Sequence, residues 1–97
     1  MAINTFGGGK AIVDSDSMAI YLAQAPNRRL TPDNGYCVAL NTMSCAEQFA
    51  EWLVHLSDKS WFDADMTKAF IDAAFYALTS LGNVNLHEWN TPAKWTK

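Results

Sequence analysis

Between residues 44 and 82 apolar positions recur every three or four residues, the spacing of a helix with one buried side. Phe49, Trp52, Leu53 and Leu56 form one stripe, and Gln48, Glu51, His55 and Asp58 fall on the opposite, solvated side. Ser44-Cys45-Ala46-Glu47 has the form of a capping box, in which hydroxyl and carboxylate satisfy orphan amides of the first turn, so a helix is predicted from Ser44 to about Ser57. A second helix is predicted with Asp63 as its cap, Asp65 in its first turn near the positive end of the amide dipoles, and Gly82 as its stop. Met66, Phe70, Ala73, Ala74, Ala77, Leu78 and Leu81 cover one face of it. Ile71 and Phe75 widen that face, and the helix is therefore expected to be buried on more than one side. Residues 44–82 together read as a helical hairpin.

The first forty residues follow a shorter period. Lys10–Asp14 and Gly35–Asn41 combine strand-forming residues with neighbouring turn formers, and Asp33-Asn34-Gly35 is a turn signal. Met18–Ala23 alternates large and small side chains, as a strand beneath a helical layer does, although a short helix between Ser17 and Pro26 fits the same residues. The expected fold class is α+β: a small antiparallel sheet from the N-terminal half, over residues 10–42, packed against the C-terminal two-helix hairpin. An all-α bundle is the alternative. Residues 1–9 read as a flexible lead, and residues 83–97 as an extended tail in which Pro92 ends regular structure. The whole chain of 97 residues is expected to form a single domain.

Charge changes the picture more than composition does. With 49% apolar and 18% charged residues the chain has a globular balance, and its apolar runs fall short of the roughly 18 residues of a membrane span. In residues 1–42, Lys10, Arg28 and Arg29 balance Asp14, Asp16 and Asp33. In residues 43–82, Lys59 and Lys68 face Glu47, Glu51, Asp58, Asp63, Asp65 and Asp72, so this half carries the excess behind the net charge of −3. An acidic middle opposes direct binding to a phosphate backbone and suits a partner with a basic surface.

Thr5-Phe6-Gly7-Gly8-Gly9-Lys10 is the one stretch that looks like a nucleotide-binding loop. A phosphate-binding P-loop needs a glycine where Asn4 stands, a Ser or Thr where Ala11 stands, and a strand ahead of the glycines. Neither residue is present, and hardly any chain precedes the glycines to supply a strand. Cys45, at the start of a helix, has the dipole environment that lowers a thiol pKa, but His55 lies about three turns away along the same helix. Cys45 and Cys37 are expected instead to be small buried apolar residues, reduced, in a cytoplasmic protein, since no signal-type segment precedes them. No Cys-x-x-Cys or His-x-x-x-His pair prepares a metal site. Asp14-Ser15-Asp16-Ser17 lacks the glycine and terminal glutamate of a calcium loop and reads as a polar turn. No cofactor is expected.

The expected function is non-enzymatic: an interaction module, such as an inhibitor of the kind common among bacteriophage accessory proteins, that presents an acidic helical face to a larger protein. Gln48, Glu51, His55, Asp58, Asp63 and Asp65 make up that face, with Trp89 and Trp95 of the tail as further partner-binding anchors. The partner's basic surface is one that binds nucleic acid, and the chain itself is a monomer or a homodimer. The alternative is a small thiol-dependent enzyme that uses Cys45 with His87 or a carboxylate.

Overall fold

The computed structural model describes residues 3–25 and 29–81. Four strands, β1 (Ile3–Phe6), β2 (Ala11–Asp14), β3 (Ala19–Leu22) and β4 (Tyr36–Ala39), form an antiparallel sheet in chain order. A 3-10 turn at Leu40–Thr42 leads to α1 (Ala46–Ser57) and α2 (Ala64–Ser80). The architecture is therefore α+β, a four-stranded sheet from the N-terminal half packed with two C-terminal helices. Met18–Ala23, which fitted strand or helix by sequence, supplies β3.

Register places the apolar side chains of successive strands in line. Val13 pairs with Ile20 and Ile20 with Val38, while Ala11 pairs with Leu22, and all five are fully buried on the side that faces the helices. Because side chains alternate across a strand, Ile12 and Ala19 belong to the outer face, yet both are also buried. α2 lies across β1, β2 and β3. Its inner face is mostly alanine, Ala69, Ala73, Ala74 and Ala77, which lets backbone approach backbone. Phe70 fills the space towards α1, with ring centroids 5.5 Å from Phe49 and 6.1 Å from Phe62.

The glycine run has a structural task that the sequence hid. Residues 3–6, inside the stretch expected to be a flexible lead, pair with β2, and Gly7–Lys10 makes the hairpin turn, with Gly9 and Lys10 N–H both donating to Phe6 O at 3.2 and 3.1 Å. Gly7 has φ +62°, and a Cβ there would stand 2.5 Å from the Ala69 Cβ, so left-handed backbone and close approach to α2 both demand glycine. The next hairpin is closed by a side chain. Asp14 accepts from Asp16 N–H at 3.0 Å and from the Ser17 hydroxyl at 2.9 Å, which makes Asp14-Ser15-Asp16-Ser17 the polar turn expected.

Helix starts agree with expectation in one case and shift in the other. Asp63 caps α2, its carboxylate accepting from Met66 N–H at 2.9 Å. At α1 the cap position is Cys45, not Ser44, and its side chain makes no capping hydrogen bond. Gln48, rather than Glu47, reaches back, its amide oxygen accepting from both the N–H and the hydroxyl of Ser44 at 2.8 Å. Starting the helix one residue later puts Gln48 at the third helical position, where such a side chain reaches back.

Two expectations about burial are corrected. Cys37 and Cys45 are exposed, not buried: Cys37 sits on the outer side of edge strand β4 and Cys45 at a helix end, neither of which faces the core. Ile71 and Phe75 do not bury a second side of α2 among the described residues; they are 37% and 64% exposed, because the sheet takes only the alanine-lined face. The proposed tail at 83–97, with Trp89 and Trp95, lies outside the described residues.

Candidate functional site on helix α1

α1 buries Phe49 and Leu56 and half-buries Trp52 and Leu53, so the apolar stripe sets which side chains point outwards. Glu47, Glu51, Val54 and Asp58 follow one another at helical spacing on the outer face, and all are exposed. Val54 is 65% exposed, an apolar side chain in a row of carboxylates. This residue was missed by sequence reasoning, which assigned the wet face from its polar members alone. Its signal was an apolar residue out of phase with the stripe.

Beside this row, Gln48, Glu51 and His55 line a shallow groove of about 360 Å³ with Thr42 and Trp52. The groove wall is held by aromatic contacts rather than by charge. Trp52 Nε1–H donates to Thr42 Oγ1 at 2.9 Å, which satisfies the one polar atom of the indole. The Trp52 ring stands edge-on to His55 at 5.6 Å and to Tyr36 at 6.3 Å. Tyr36 OH and His55 Nε2 are hydrogen-bonded at 3.1 Å, tying edge strand β4 to the last turns of α1. Trp61 packs on the other side of Tyr36, with centroids 5.4 Å apart. Trp52 and Trp61 therefore border the core, and Trp52 also forms part of the groove.

Electrostatically the two halves of the hairpin differ. Lys68 and Asp72 form an ion pair at 3.2 Å, the one ion pair among the described residues. Lys59, the cation nearest in sequence to Asp58, has its ammonium 5.2 Å from the centre of the Tyr36 ring. Glu47, Glu51, Asp58 and Asp65 consequently have no cationic partner within 4.0 Å among the described residues, and their field is directed into solvent.

The expected site residues are thus brought together only in part. Gln48, Glu51 and His55 share the groove, and Asp58 follows at the end of α1. Asp63 is engaged as the cap of α2 and lines a different cavity, and Asp65 is exposed in the first turn of α2. Trp89 and Trp95 fall outside the described residues.

For catalysis the geometry offers less. Cys45 Sγ has no hydrogen bond to a base among the described residues, and His55 is engaged with Tyr36. Among the same residues no three His, Cys, Asp or Glu side chains converge as metal ligands, and no helix is long and apolar enough to cross a membrane. No family model, curated protein or solved structure matches this chain.

Proposed function

We propose that the protein is a non-enzymatic protein–protein interaction module that docks the outer face of α1 on a basic surface of a larger partner. The observation that carries this reading is the row Glu47, Glu51, Val54 and Asp58, in which one exposed apolar side chain is flanked by carboxylates with no cation paired to them among the described residues. A contact of this type combines a small desolvated centre with charges at its rim, and the charges act chiefly on encounter and orientation. The groove formed by Gln48, Glu51, Trp52 and His55 receives a side chain of the partner, an arginine by preference, whose guanidinium stacks on the indole while it bonds to Glu51. Carboxylates spaced along a helix also substitute for phosphates on a nucleic-acid-binding surface, which makes inhibition of such a protein the biological form of the proposal.

Hydrogen–deuterium exchange of the complex with a partner captured from the host tests this. The partner should slow exchange over residues 47–58 and leave β1 and β2 unchanged. Protection confined to the sheet, with α1 unaffected, contradicts the reading.

The thiol-enzyme alternative rests on Cys45 alone at the cap of α1. Cys45→Ala is expected to leave partner binding unchanged.

A further inference from the structure

A second feature lies at the end of the sheet where β1 turns into β2. It is a cavity of about 870 Å³, within the roughly 300–1,000 Å³ of small-molecule sites. Its floor is the outer face of the sheet, Thr5 and its cross-strand neighbour Ile12. Trp61 closes one side, and the stretch from Arg29 to Pro32 closes another.

The walls are fixed by local structure. Asn34 accepts from Thr31 N–H at 3.0 Å and donates to Arg29 O at 2.8 Å, while Gly35 N–H bonds to Thr31 O at 3.1 Å. Gly35 lies so close to β3 that a Cβ would stand 2.7 Å from the Tyr21 Cβ and 2.8 Å from Leu30 Cδ1. Residues 29–35 are therefore clamped onto the sheet. Opposite them, Lys10 N–H donates to Phe6 O at 3.1 Å and Lys10 O accepts from Ala23 N–H at 2.9 Å, which anchors the lysine on both sides of its Cα. Trp61 is held between Tyr36 and Phe62.

Lys10 and Arg29 both line this cavity, and neither has a carboxylate within 4.0 Å among the described residues. Asp63, the acid that lines it with them, has one oxygen committed to Met66 N–H. Half-buried Lys10 and exposed Arg29 thus offer two cationic donors to one cavity, and a bound anion would accept charge-assisted hydrogen bonds from both. Gly8 and Gly9 add no side chain to the wall, and a Cβ on either would meet nothing within 4 Å.

We infer that this cavity binds a small organic anion with a flat apolar ring system. The ring packs against Trp61, and the anionic group sits between Lys10 and Arg29. The site shares no residue with the α1 groove, so it stands or falls independently of the docking proposal.

Two probes of nearly the same shape test it: 8-anilinonaphthalene-1-sulfonate, and N-phenyl-1-naphthylamine, which lacks the sulfonate. The wild type should bind the sulfonate saturably at one site. The double variant Lys10→Met with Arg29→Met should lose roughly tenfold or more of that affinity, since it removes two charged donors, while binding the neutral probe as before. Thr5→Trp, a strand-compatible change that fills the floor, should weaken both probes. Equal affinity of the sulfonate for wild type and double variant places it elsewhere, for instance on exposed Phe75, and overturns the inference. Absence of saturable binding to the wild type overturns it as well.

Discussion

α1 and α2 are both amphipathic helices with acidic outer faces, yet the two faces are built differently. On α2 the outward carboxylate Asp72 is paired with Lys68 one turn away, and the exposed apolar residues Ile71 and Phe75 lie beside that neutralised pair. On α1, Glu47, Glu51 and Asp58 have no cationic partner among the described residues, and Val54 lies among them. The same residue classes thus give a surface compensated around Asp72 on α2, where Asp65 of the first turn is left without a cationic partner among the described residues, and an uncompensated row along α1. Glu47 and Glu51 of α1 have no cation within their helix, whereas Asp65 and Asp72 of α2 share theirs with Lys68, so the placement of Lys59 and Lys68 sets the difference. Lys68 stands four residues from an aspartate, whereas Lys59 is drawn over the Tyr36 ring and away from the α1 row.

The largest effect that separates the helices is expected in the core. Phe70 is fully buried against Phe49 and Phe62, so Phe70→Ala should destabilise the fold by about 3–5 kcal/mol, as read from chemical denaturation. Val54→Ala, on the outer face of α1, should leave the midpoint nearly unchanged while weakening partner binding, because its side chain is 65% exposed. A large loss of stability for Val54→Ala would place α1 in a different rotation. Next in size, Thr42→Val removes the acceptor of the Trp52 indole N–H and should cost about 1 kcal/mol, with a change in tryptophan fluorescence as the groove wall loosens. At the small end, Lys68→Met breaks the exposed pair on α2 and should cost only about 0.2–0.5 kcal/mol. Partner binding should not weaken, since that face is not the docking surface.

How much of this was legible in the sequence depended on whether the deciding interaction was local. The α2 cap was readable because Asp63 acts on an amide three residues away. The α1 stripe was readable because 3.6-residue periodicity alone orients it. The start of α1 shifted by one residue because Ser44 and Cys45 both precede an acceptor at a workable distance, and only backbone geometry at Cys45 separates them. β1 was hidden, since three glycines in a row read as slack chain unless the nearness of Ala69 is known. The groove was half legible. Gln48, Glu51 and His55 follow from helical phase, but the contribution of Tyr36 depends on a contact between residues far apart in sequence. The cavity beside the glycine turn was not legible at all, because it is assembled from β1, β2, the 29–32 stretch and the link before α2.

The central claim is that the outward carboxylates of α1 guide docking. It is tested most directly by the association rate of the captured partner as a function of ionic strength. The double variant Glu51→Lys with Asp58→Lys is compared with Asp16→Lys with Asp33→Lys, which makes the same charge change at exposed positions of the sheet half. Asp14 is left intact because its carboxylate holds the β2–β3 turn. For the wild type, the rate should fall as salt rises, since the Debye length shrinks to about 10 Å at 0.1 M. At low salt the α1 variant should associate about tenfold more slowly or worse, with its salt dependence flattened, while the control stays close to the wild type. Equal slowing by both variants, or slowing by neither, contradicts the account.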